Sequence, residues 1–194
     1  MVRETEIKLL VKSFASEAAF EKWLQTNHAR SSGLWLRFFK KSATRKALMH
    51  KGALDVALCY GWIDGQLKKF DDISYLHKFT PRGTKSVWST VNREHVERLE
   101  KEGRMLPAGL AAVAAAKKDG RWDKAYAPSS KMEMPADFLK ALAKDKEAKI
   151  FFGSLNRANR YSIAWRLQTA KKPETRQKRM GAIIAMLSRK EKFH

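Results

Sequence analysis

Apolar and polar positions recur along the chain with two periods, near two and near 3.6, and the switches between them mark its elements. Residues 7–14, IKLLVKSF, read as a strand. Ser16 then has the chemistry of a helix N-cap, since a short hydroxyl accepts a bond from an unpaired amide of the first turn. Phe20, Trp23 and Leu24 follow at helical spacing. Gly33 opens LWLRFF, an apolar and aromatic run suited to a buried strand. The basic segment KKSATRKALMHK reads as a loop. From Gly52, ALDVALCY places Leu54, Ala57 and Leu58 on one face of a short helix. Gly61 suits the left-handed position beyond its end.

Two further runs, IDGQLKKF and ISYLHKFT, flank Asp71-Asp72 and predict a hairpin that Pro81 stops. Alternation aims Asp64, Gln66 and Lys68 to one face of the first strand, with Ile63 and Leu67 opposite. Tyr75 and His77 share a face of the second. Ser86 or Ser89 caps the next helix, which turns Val91, Val96 and Leu99 inward and ends near Gly103. An alanine-rich helix, Pro107 to Lys118, closes at Gly120. Residues 127–135, APSSKMEMP, have linker composition. Beyond them one helix starts with Phe138, Leu139 and Leu142 and continues to Phe152. Another carries Tyr161, Ile163, Trp165 and Leu167. Pro173 opens a third, with Met180, Ile183, Ile184 and Leu187 as its stripe. The fold class expected is α+β: a small antiparallel sheet with helices packed on it, followed by a C-terminal all-helical segment. The expected division is residues 1–127 and 128–194.

Composition adds a partner class. The chain has 194 residues, 44% of them hydrophobic, enough for a packed core and against intrinsic disorder. Its 40 Lys and Arg face 20 acidic residues, a net charge of +20. Such a surface attracts polyanions, so non-specific and salt-dependent nucleic-acid binding is one expectation. The alternative is a solvated basic surface. Cys59 is the one cysteine, which rules out an intramolecular disulfide, and its apolar neighbours make it a buried thiol. Charges run through the first dozen positions, unlike a secretory leader, and no window approaches the ~20 apolar residues of a membrane span. The expected location is cytoplasmic.

Walker A, nucleophile-elbow, zincin and CxxC signatures are absent from the sequence. The five histidines are scattered without zinc-ligand spacing, so no metal and no cofactor is expected. The dense stretch from Asp64 to Asn92 is the candidate ligand site. Arg82, stiffened by Pro81, offers a planar fork for carboxylate or phosphate. Trp88 can stack on a ring, and Asn92 can donate near a helix start. With Asp64, Lys68 and Tyr75 these residues would line a cleft for a small anionic ligand. The structural alternative pairs Asp64 with Arg82 and places Trp88 in the core. An enzyme using Asp64 or Tyr75 on a small anionic substrate is a third reading, behind a non-enzymatic binding protein.

The C-terminal stretch carries the second candidate. From Asn156 to His194 eleven Lys and Arg stand against two Glu. Lys172, Arg176 and Arg179 can share a helix face, and with Arg157 and Arg160 they could neutralise phosphates while Tyr161 or Trp165 stacks on bases. The alternative is a solvated face over core aromatics.

The phrases ALDVALCYGWIDGQLKKFDDISYLHKFTPRGTKSVWSTVN and LEKEGRMLPAGLAAVAAAKKDGRW resemble the YdeI/OmpD-associated, or bacteriocin-protection, family, and so does the tail from Leu155 to His194. The likeness covers the chain from about Trp35 onward. Two positions depart from it. Pro81-Arg82-Gly83 stands where the family often reads Pro-Arg-Arg, which halves an arginine clamp. Met49-His50 replaces an expected aromatic residue. The resemblance implies a bacterial protein of stress protection, associated by name with a porin, and supplies no reaction. A charge of +20 would repel cationic peptides, so the protection it implies is indirect.

Overall fold

Residues 9–40, 47–128 and 131–194 are described by a computed structural model. Ser16 caps as its chemistry predicts: the Ala19 amide donates to its Oγ at 3.3 Å and opens α1, Glu17–Asn27. Phe20 and Leu24 are buried on the inner face of α1. The strand expected over residues 7–14 shortens to β1, Val11–Lys12, within the described part. β1 lies parallel to β2, Leu34–Phe39, so the sheet is mixed and not purely antiparallel. The cause is topological: α1 carries the chain across between them, as a parallel pair requires.

α2 spans His50–Cys59 and starts slightly before the expected Gly52. Residues 41–46 of the expected loop lie outside the described residues. α2 is not amphipathic: Gly52 through Cys59 are all buried, because α1, β3 and α4 pack around it. Its one carboxylate, Asp55, is therefore held by two charged bonds from α3 (Thr90–Lys101), His95 Nδ1 and Arg98 Nη2, each at 2.6 Å. Gly61 takes φ +71° just after the helix, as predicted. α4, Pro107–Lys118, crosses α2 so closely that a Cβ at Gly109 would lie 2.7 Å from the Leu58 carbonyl oxygen and nearer still to that of Cys59.

The hairpin forms from β3, Trp62–Lys69, and β4, Ser74–Pro81, and the sheet order is β1-β2-β4-β3. Between Asp64 and Leu67 the register shifts, so Gly65 and Gln66 oppose Lys78 alone. This bulge reverses the parity of everything after it. Asp64 and Leu67 share one face, with Trp62, and Lys68 moves to the other, which corrects the simple alternation. Leu34, Leu36, Phe38, Phe79 and Trp62 are buried on the face that α1 and α2 cover.

The chain divides into two compact units: one of residues up to Ser86 plus Asn92–Asp123, the other of Val87–Val91 plus Lys124–His194. In the second, Tyr126 donates its amide to the Trp88 carbonyl at 3.0 Å, and Trp88 is buried. Four helices follow: α5 Ala136–Leu142, α6 Lys146–Ser154, α7 Arg157–Gln168 and α8 Pro173–Ser188. The single helix expected from Phe138 to Phe152 is broken, because the Asp145 carboxylate accepts the Ala148 amide at 2.9 Å and caps a new start. Phe138, Leu142, Ala148, Leu155, Ile163, Leu167, Ile183 and Leu187 form this unit's core. Among the described residues, no helix is long and apolar enough to cross a membrane.

Candidate functional site

Three polar side chains that the sequence holds far apart meet on the covered face of the sheet. His50 sits in the first turn of α2, Asp64 near the start of β3, and His77 in the middle of β4. His50 Nε2 lies 3.0 Å and His77 Nε2 3.6 Å from Asp64 Oδ2. The two imidazoles stack, with centroids 4.6 Å apart and planes at 16°. Phe38 and Phe79 approach both rings, and Tyr75 stacks on Phe38 at 5.6 Å. The side chains are 33%, 22% and 11% exposed for His50, Asp64 and His77, so the centre is walled by aromatics but open at the His50 side.

The bulge begins just after Asp64 and borders this centre. Asp64 stands opposite Phe79 in the regular register before it, and Leu67 opposite His77 after it. The bulge also frees the Gly65 carbonyl from the ladder to accept from His77 Nε2 at 3.2 Å. That bond fixes the tautomer: Nε2 carries the proton, and Nδ1, buried without a partner, holds a lone pair. Burial pushes the Asp64 carboxyl up, but the His50 hydrogen bond and the charges of both histidines outweigh it and hold it below the usual carboxylate range. Burial, then the nearby His50, lowers the His77 imidazole despite Asp64 and the Gly65 carbonyl, which favour its charged form. The centre therefore presents an ionised carboxylate beside a neutral imidazole at pH 7.

Of the expected ligand residues, Asp64 and Tyr75 stand on this face. Lys68 points to the other, its ammonium 4.3 Å above the Trp35 ring. Asp64 gives its carboxylate to the histidines and not to Arg82, so the anticipated ion pair does not form. Arg82 follows β4 and donates from Nη1 to Ser86 Oγ at 3.1 Å. Asn92 is buried in the first turn of α3, and Trp88 is buried in the second unit. Of the basic residues expected to meet nucleic acid, Arg176 pairs with Asp137 at 2.9 Å. Arg179 donates to the Arg166 carbonyl at 2.7 Å, and Arg160 to that of Gly153 at 2.7 Å. Lys172 is the N-cap residue of α8, and Arg157 opens α7.

His50 and His77 were absent from the expected site. No spacing motif links them, because the hairpin register and the start of α2 bring them together. The signal available was His50 itself, a polar ring at the start of a helix that is otherwise buried from Gly52 to Cys59.

Fold and site define an α+β protein with a mixed four-stranded sheet, a His–Asp–His centre and a helical unit after it. Residues 12–112, more than half of the chain, match the family described as "Domain of unknown function (DUF8412)", and the chain belongs to that family. Residues 131–190 match the family described as "Bacteriocin-protection, YdeI or OmpD-Associated", which bears out the resemblance in the helical tail. The central phrases that carried the same resemblance lie largely in the first match. No curated protein and no solved structure matches the chain.

Proposed function

We propose that the chain is a non-enzymatic binding protein whose ligand is a divalent transition-metal ion, held by His50 Nε2, Asp64 Oδ2 and His77 Nε2. One observation carries the reading: one ligand atom from each of the three residues lies within 4.8 Å of the other two, in a site still open on one side. Two imidazoles and a carboxylate suit Zn²⁺ and neighbouring first-row ions, whose bonds to such atoms run at about 2.0–2.2 Å. Three protein ligands leave a position for water or for an anionic group of a partner.

The metal-free arrangement has to adjust in two ways. An ion in the plane of one stacked ring lies out of the plane of the other, so one ring must turn. His50, the more exposed, has the room. Ligation by His77 Nε2 also moves that ring's proton to Nδ1 and gives up the Gly65 bond. His50 and Asp64 therefore carry the larger share of affinity. A bacteriocin-protection role, the one the description of the C-terminal family names, fits a binder that needs no turnover.

Titration of Zn²⁺ into the metal-free full chain by calorimetry tests this. The expected result is one ion per chain, with binding lost in Asp64→Asn and His50→Ala and weakened in His77→Ala. Arg82→Ala and His28→Ala should bind as wild type does. No heat of binding, or undiminished binding in Asp64→Asn, would refute the assignment.

A further inference from the structure

The opposite face of the sheet carries a different chemistry. Along β2, Trp35, Arg37 and Phe39 alternate with the buried Leu34, Leu36 and Phe38, and all three stay partly exposed. Cross-strand pairing sets Lys78 beside Trp35 and Leu76 beside Arg37, and the bulge adds Lys68 to the same row. Phe70 and Ile73, at the hairpin end, are 49% and 51% exposed. The result is aromatic rings interleaved with cations on neighbouring strands of one sheet.

The cation over Trp35 shows that this ring face is accessible. Lys68, an exposed side chain, places its ammonium 4.3 Å over Trp35. The Arg37 guanidinium lies 4.8 Å over Phe39 and 4.9 Å over Phe70. A ring face reached by a solvated cation, as Lys68 reaches Trp35, is not packed against apolar protein, and a nucleobase can take the same place. Arg37, held by Asp71 and Ser74 Oγ, keeps its place over Phe39, and a base there meets the part of that ring that stays exposed. Two carboxylates stand at the edge of this face. Asp71 is bonded to Arg37 at 2.6 Å, and Asp72 to Lys69 at 3.2 Å, both at the hairpin tip.

We infer that this face binds single-stranded nucleic acid, with bases stacked on Trp35 and Phe39 and with Lys68 and Lys78 on the phosphates. The occupant follows from complementarity. A chain of net charge +20 attracts a polyanion, and partly exposed rings on a sheet face select one whose bases are unpaired. Four residues at the ~3.3 Å rise of a strand separate the two rings by roughly 13 Å, which leaves room for a base on each. On binding, Lys68 leaves the Trp35 ring for a phosphate. This inference is independent of the metal centre on the other face.

The test uses the full chain, a short fluorescein-labelled oligothymidylate and a duplex of equal length, followed by fluorescence anisotropy over a series of salt concentrations. The expected result is tighter binding of the single strand than of the duplex, with quenching of tryptophan fluorescence. Trp35→Leu and Phe39→Leu should each weaken single-strand binding about tenfold or more, the range for loss of one stacking ring, while Trp35→Phe restores most of it. Arg176→Glu with Arg179→Glu should lower single-strand and duplex binding alike. The doubly charge-reversed Lys68→Glu, Lys78→Glu protein serves if a ring variant fails to fold, and should lose affinity and flatten the salt dependence. Equal affinity for duplex and single strand in wild type would overturn the inference. So would unchanged single-strand binding in the folded ring variants or in the lysine variant.

Discussion

His77 shows how much one position depends on what surrounds it. In sequence it is a polar residue in an apolar strand. In the fold it is nearly buried, donates to a bulge carbonyl and stacks on a second histidine. Its imidazole is held below its ordinary value of 6.5 by burial and by His50. In metal-free protein the unfolded chain therefore takes up this proton at higher pH than the folded one. The linked stability is complete above 6.5 and is lost as pH falls below it. Asp64, held below 3.8, keeps its contribution until the solution is more acidic still. The thermal midpoint of metal-free protein should fall on acidification below 6.5, and His77→Gln should flatten that part of the profile; a wild-type profile level through this range would show that His77 is not buried as described. Cys59 is the opposite case, legible from sequence: its apolar neighbours predicted a buried thiol, and burial pushes it up to about 11. Ser16 and Gly61 were equally legible, since cap chemistry and a positive φ depend on a few neighbouring residues. His50 and His77 were not, because their meeting depends on strand register and on where α2 begins.

Elements were legible where one period ruled and misread where a short polar interruption decided. β2, the hairpin, α4 and the stripe of α8 follow directly from their patterns. The bulge at Gly65-Gln66 does not, because two polar residues opposite one look like ordinary alternation until the partner strand is known. It turns the Gly65 carbonyl to His77 and sends Lys68 to the other face, so both proposed surfaces depend on it. Asp145 is a similar case: a carboxylate between apolar stretches reads as a helix surface residue, yet it caps a new helix. The packing of α4 on α2 gives a sharper prediction at this scale. Gly109 meets the backbone carbonyls of Leu58 and Cys59, which cannot turn aside as a side chain would. Gly109→Ala should destabilise the protein by about 3 kcal/mol, the upper part of the usual overpacking range. Denaturant unfolding with an unchanged midpoint would mean that the two helices separate at no cost.

At the scale of the whole molecule, charge and family pointed to partners, while the fold decided where partners could bind. The net charge of +20 is a property of composition and says nothing about which face is used. Arg160, Arg176 and Arg179, expected to meet phosphate, each bond to a group of their own unit. The two family matches cover different parts of the chain, and the His–Asp–His centre lies within the first. The metal reading stands or falls with that centre, and the histidine rings themselves report on it. In ¹⁵N-labelled metal-free protein, the ring-nitrogen resonances should be followed during addition of Zn²⁺. His50 and His77 should shift together and complete their change at one ion per chain, while His28, His95 and His194 stay in place. Shifts confined to His28, His95 or His194, or no shift at His50 and His77, would contradict the metal reading.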